Sequence, residues 1–234
     1  MNVFKFAVSV ASICLCISIQ GRADTQFQVT PQDDLQSIID NCGDSESNKV
    51  TIYMSPGKYG KFSARSNIDK AERYISLIGH GDVTVESDSG YYSSPAAELR
   101  LHGIVQNIQF IASHPENVVE PNDKGAYAVH ADYGSMHMVF NECKFISYQT
   151  AGVGMGMTYD SEVTFNNCRF ENRGTQAFGT GWNLGALFVH SSEDYANVDG
   201  AKLNINKCTF YSPEGSMVIK EPNGNDIEVN VTEA

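Results

Sequence analysis

The stretch HMVFNECKF (residues 137–145) returns as EVTFNNCRF (162–170) and again as KLNINKCTF (202–210). Each copy has apolar residues at the same places: Met138, Phe140, Cys143 and Phe145; Val163, Phe165, Cys168 and Phe170; Leu203, Ile205, Cys208 and Phe210. An earlier copy, GIVQNIQF (103–110), has Val105, Ile108 and Phe110, with isoleucine in the place of cysteine. Alternation of this kind is the signature of a strand with one buried face. The closing phenylalanines, at 110, 145, 170 and 210, lie 35, 25 and 40 residues apart, so a unit of about 25 residues carries insertions of varied length.

A unit that can bury its apolar face only against its neighbours must stack coil upon coil. The expected fold is therefore all-β, a right-handed parallel β-helix of about six to seven coils. Further strands are expected at VTIYM (50–54) and ISLIGHGDVTV (75–85), and after the last copy at DIEVNV (226–231). One short helix is signposted before them. Thr30 reads as its N-cap, Pro31 as its first residue and Asp33 and Asp34 as its first turn, with Leu35, Ile38, Ile39 and Cys42 on one face and Gly43 as the stop. Its place is that of a cap over the open N-terminal end.

The N-terminus has Lys5, an apolar run from Phe6 to Ile19, and Gly21-Arg22-Ala23, which reads as a cleavable secretory signal over residues 1–23. Secretion or a periplasmic location is the expectation, and Cys14 and Cys16 would leave with the signal. Residues 24–234 then form a single domain. The chain has 28 acidic residues against 16 basic ones and a formal net charge of −12. Such a balance disfavours nucleic acid and anionic lipid, which need a basic patch.

Because Ile108 shares the column of Cys143, Cys168 and Cys208, the position asks first for a small apolar filler. A disulfide between neighbouring coils, about 4.8 Å apart, is a second reading. A metal site is the third, and it lacks the paired spacing of zinc ligands. Asn141, Asn166 and Asn206 form another column, suited to side-chain ladders. NVT (230–232) is a glycosylation acceptor only in a eukaryotic secretory route.

Before each copy lies a second repeated strand: AYAVH (126–130), AGVGM (151–155), ALFVH (186–190) and SMVIK (216–220). Aligned on their fifth positions they put His130, Met155, His190 and Lys220 in one column, and the lysine marks that face as solvent-exposed. His130 and His190 would then stand about 10 Å apart with Met155 between them, poorly placed to share a metal. Asp132 follows His130, and Glu193 and Asp194 follow His190. Histidine beside carboxylate is material for acid-base chemistry, so His130, Asp132, His190, Asp194 and Lys220 are the catalytic candidates. Tyr133, Tyr148, Gln149, Trp182 and Tyr195 are the candidates for contact with a sugar, Trp182 lying in the glycine-rich loop 171–185 with Phe178. GYYSS (90–94) is a second aromatic insertion.

The capping helix followed by VTIYMSPGKY and ISLIGHGDVTV, and then the NxCxF coils, resembles the pectin lyase-like superfamily of parallel β-helices over residues 26–232. Within it, YAVHADYGSMHMVFNECKFISYQTA is most similar to pectin methylesterases. Tyr148 and Gln149 match that family, but its acid/base aspartate falls on Thr150, its oxyanion glutamine on Tyr127 and its nucleophilic aspartate on Met155. An esterase mechanism is therefore not expected. The GHG at 79–81 lacks the paired acids of polygalacturonases, and no calcium motif of the pectate lyases is present, so no cofactor is expected, with calcium left as the open alternative. The resemblance implies a polysaccharide or oligosaccharide as partner. The leading expectation is a carbohydrate binder without turnover. The alternatives are a lyase or glycoside hydrolase acting on an acidic polysaccharide, and a structural or adhesin-like module that self-associates through its C-terminal strand.

Overall fold

The computed structural model describes residues 24–65, 72–87, 95–112, 127–132, 134–148, 150–174, 185–191, 198–213, 215–220 and 226–233. The expected signal segment lies outside the described residues.

After β1 (Thr25–Val29) and the helix α1 (Leu35–Asn41), the chain winds through coils of three strands each. The first coil is β2 (Val50–Met54), β3 (Gly57–Gly60) and β4 (Phe62–Ala64), and the second is β5 (Ile75–Gly79), β6 (Val83–Glu86) and β7 (Ala97–Leu99). The third is β8 (His102–Gln106), β9 (Gln109–Ala112) and β10 (Val129–Ala131). The repeated cysteine motif opens the next three: β11 (His137–Asn141), β12 (Lys144–Ser147) and β13 (Val153–Met157); β14 (Glu162–Asn166), β15 (Arg169–Asn172) and β16 (Leu187–Ser191); β17 (Lys202–Asn206), β18 (Thr209–Tyr211) and β19 (Met217–Lys220). Strand β20 (Glu228–Thr232) ends the stack.

Like positions of successive coils pair in parallel, which makes one eight-stranded and two six-stranded sheets around a common core. This is the parallel β-helix expected from the repeat. The first sheet runs β1-β2-β5-β8-β11-β14-β17-β20, the second β3-β6-β9-β12-β15-β18, and the third β4-β7-β10-β13-β16-β19.

The recurring template is the wall of the core. Phe140 pairs in register with Phe165, and Phe145 with Phe110 and Phe170. Their rings stack along the axis, with centroids 4.8 Å apart for Phe140 and Phe165 and 5.1 Å for Phe145 and Phe170. Each fully buried ring contributes roughly 1.5–3 kcal/mol from area alone. Asn166 donates to the side-chain oxygen of Asn141 at 2.9 Å, and Asn206 to that of Asn166 at 2.9 Å, which completes the expected asparagine ladder.

Cys143 and Cys168 are buried, Cys208 is half-buried, and all three thiols are free. The residue before each motif cysteine, Glu142, Asn167 or Lys207, turns the chain from the first sheet to the second with φ between 52° and 55°. Asn107 does the same before Ile108, with φ 53°.

The helix starts later than its sequence signals suggest. Asp34, not Thr30, is the N-cap, and its carboxylate accepts from the Ser37 N–H at 3.0 Å. Thr30 is spent on a preceding turn, where its N–H and hydroxyl both donate to Asp33, at 2.7 and 2.8 Å. A proline at position 31 tolerates either arrangement; the nearer carboxylate decides it. Leu35, Ile39 and Cys42 face the core as expected, and Gly43 ends the helix at φ 68°, a conformation glycine adopts at no steric cost. Among the described residues, no helix is long and apolar enough to cross a membrane.

Candidate functional site

The third sheet has a register one residue away from the one expected. Val129 pairs with Val153, His130 with Gly154 and Ala131 with Met155. Val153 in turn pairs with Leu187, Gly154 with Phe188, Met155 with Val189 and Gly156 with His190. The rows that lie side by side are thus AVHAD, GVGMG, ALFVH and SMVIK.

Met155 consequently points into the core, fully buried, and does not separate the two histidines. The outward positions of β13 are Gly154 and Gly156. One residue of slip exchanges the two faces of a strand, and a strand with glycine at alternate positions has little side-chain pattern to reveal its register.

Those two glycines shape the site. A Cβ on Gly154 would stand 2.4 Å from the Tyr127 ring, and a Cβ on Gly156 only 2.0 Å from Asp132 Oδ1. The Tyr127 ring and the Asp132 carboxylate therefore lie across the bare backbone of β13. Two strand spacings separate β10 from β16, about 10 Å. Yet the ligating atoms of His130, Asp132 and His190 all lie within 4.8 Å of one another.

Asp132 Oδ2 is 3.8 Å from His130 Nε2 and 4.0 Å from His190 Nε2. Rings hold both imidazoles. Tyr127 stacks on His130 with centroids 5.6 Å apart and lies parallel to Phe188 at 6.4 Å, and Phe188 stacks on His190 at 5.2 Å.

The site is sunk into the sheet, and its two imidazoles keep partial contact with solvent. The Asp132 side chain is 5% exposed, that of His130 22% and that of His190 17%. Burial pushes the His130 imidazole below its ordinary value, against the pull of Asp132 in the other direction. Burial likewise raises Tyr127, with Asp132 adding to the rise, so the phenol stays protonated. Lys220, exposed on β19, pairs with His190. On the far flank, His130 pairs with Glu98, whose carboxylate is 3.1 Å from Arg65 Nε. Two residues after Glu98, just past the end of β7, stands the buried Arg100.

Of the predicted site residues, His130, Asp132 and His190 come together, and Lys220 stands at their edge. Tyr148 does not join them. It belongs to a second polar cluster beside the second sheet, where its hydroxyl accepts from Arg173 Nη1 at 2.9 Å. At the centre of that cluster the Glu171 carboxylate, 1% exposed, is met by Lys144 Nζ at 3.4 Å, Arg169 Nε at 2.5 Å and the Arg173 guanidinium. Tyr133, Gln149, Trp182, Asp194 and Tyr195 lie outside the described residues, as do Glu193, Phe178 and the GYYSS insertion.

Tyr127 and Phe188 are the site residues that sequence reading missed. Strand alternation assigns Tyr127 to the face opposite His130, and the esterase comparison makes it a mismatch; Phe188 has no assigned role. The signal that would have found them is the alternation of Gly154 and Gly156, which leaves room on the outer face for neighbouring side chains. No family model, curated protein or solved structure matches the chain.

Proposed function

We propose that this chain is an exported protein that binds a carbohydrate, a polysaccharide or oligosaccharide, across the outer face of the third sheet. The observation that carries the reading is the meeting of His130, Asp132 and His190 around the Tyr127 ring on one rigid sheet. Polar groups with an amphipathic ring between them suit sugar hydroxyls and the apolar faces of pyranose rings. Side chains held by packed strands keep their spacing without a partner, which lowers the cost of ordering on binding. Lys220 at the edge offers a charge to a uronic carboxylate, and this favours an acidic glycan over a neutral one. The three-sheet parallel architecture supports a place in the pectin lyase-like superfamily.

The test is a binding panel of uronic-acid and neutral polysaccharides, read by affinity electrophoresis with the wild type and Lys220→Ala. Retardation by an acidic glycan, weakened roughly tenfold in the variant, is the expected result for one lost charge-assisted contact. Absence of retardation across the panel removes the proposal. A second reading, a lyase or hydrolase, is favoured by the same convergence of imidazoles and carboxylate. New reducing ends or unsaturated products in the panel would select it. Export is checked by N-terminal sequencing of the secreted or periplasmic protein, which should begin after Ala23.

A further inference from the structure

We infer that His130 Nε2, His190 Nε2 and Asp132 Oδ2 form a binding site for one divalent transition-metal ion of the zinc type. The spacing of the three atoms is the first ground. At 3.8 and 4.0 Å the two imidazole nitrogens are too far from Asp132 Oδ2 for direct hydrogen bonds. Ligands about 2.0–2.1 Å from a tetrahedral zinc ion stand about 3.4 Å from one another, so small side-chain rotations close the site around an ion.

The donor set is the second ground. Two imidazoles and one carboxylate suit zinc and its neighbours better than calcium or magnesium, which prefer oxygen alone. Three protein ligands leave a fourth position for water or for an oxygen of a bound molecule.

The surroundings are the third. The bare backbone at Gly156 lets the carboxylate of Asp132, the residue after β10, reach across β13 toward His190 of β16. Stacking by Tyr127 and Phe188 orients the imidazoles, the role that outer-shell groups play around metal ligands. Lys220, in register with His190, opposes a cation electrostatically, so it sets the affinity below that of a site without it.

The inference stands independently of the carbohydrate reading, because its probe is the metal alone. Full-length protein stripped by chelator is titrated with Zn²⁺ in competition with a chromogenic chelator, and with Co²⁺ followed by visible d–d absorption. One equivalent of Zn²⁺ and a cobalt spectrum of low coordination number are expected. Asp132→Asn and His190→Gln should each weaken binding at least about tenfold. Gly156→Ala, at a residue that supplies no ligand atom, should do the same, because its Cβ displaces the Asp132 carboxylate.

His102→Gln serves as the control, since His102 and His137 form a separate stacked imidazole pair with centroids 5.0 Å apart. It should leave binding unchanged. The inference is overturned if no stoichiometric uptake occurs, if Asp132→Asn and His190→Gln both bind as the wild type does, or if His102→Gln abolishes binding. Circular dichroism establishes that each variant is folded. Should a ligand variant unfold, the cobalt spectrum of the wild type decides alone, and an octahedral aquo spectrum sinks the site.

Discussion

Cys168 lies between Cys143 and Cys208 in the core column, its backbone N–H 3.4 Å from Cys208 Sγ and its own sulfur 3.5 Å from the Phe140 carbonyl oxygen. Hydrogen bonding with Cys143, together with burial, pushes its thiol up to about 12. It stays a neutral thiol at physiological pH, and only the thiolate is reactive. The column therefore behaves as packing, as the isoleucine at 108 already implied. Cys168→Val should cost less than about 1.5 kcal/mol in urea unfolding, and Cys168→Ser about 1–3 kcal/mol, because a hydroxyl is buried in place of a sulfur. The reverse ranking would remove the filler reading. At the turn before Cys143, Glu142 holds φ 55°, a region costly for any residue with a Cβ. Glu142→Gly should therefore raise stability by up to about 1 kcal/mol, the relief of strain exceeding the added entropy of the unfolded chain. An unchanged or lower urea midpoint would show that the turn is not strained.

Arg73 is among the residues that fasten helix α1 to the coils, beside Gln36, which exchanges hydrogen bonds with the Ser63 backbone. Arg73 Nη2 donates to the Ile39 carbonyl oxygen at 2.6 Å, and Arg73 Nε to Asp44 Oδ1 at 3.0 Å, while the Tyr74 N–H donates to Asp44 Oδ2 at 2.7 Å. The Asp44 side chain is 5% exposed, so removing the arginine leaves a buried carboxylate without its counter-charge. Arg73→Met is expected to cost about 2–4 kcal/mol and to speed hydrogen exchange in residues 35–41 ahead of the rest of the chain. Uniform exchange throughout would mean that the cap and the coils open together. Sequence periodicity found α1 but placed its start too early, because Thr30 and Asp34 are both chemically sound caps. It also found β13 but turned it over. The alternation that identifies a strand comes from side chains on both faces, and GVGMG has almost none on one of them.

Around the whole molecule, two buried carboxylates tie folding to pH. Burial alone would raise Asp44, but the Arg73 contacts and the Tyr74 N–H outweigh it, and the carboxyl lies below its ordinary value. Glu171 behaves alike, with burial outweighed by Arg173, Lys144 and Arg169. Both are more acidic folded than unfolded. Their contribution is complete above the unfolded carboxylate value, near about 4, and is lost as pH falls through the lower folded value. Stability by urea unfolding should fall below about pH 4, and Glu171→Gln should flatten that slope. An unaltered slope in Glu171→Gln would mean that this cluster is not linked to folding. The acid dependence could not be read from a formal net charge of −12, because it depends on which carboxylates meet arginines across coils. The sequence by itself determined the coil: short, constant spacing from strand to cysteine to phenylalanine repeats the same inward residues, so local alternation was enough to specify the first two sheets. Only the tertiary structure decided the third. There the segments between strands vary in length, one residue of slip exchanges core and surface, and two glycines remove the pattern that would have marked the slip. That register buries Met155 and brings His130, Asp132 and His190 to one point.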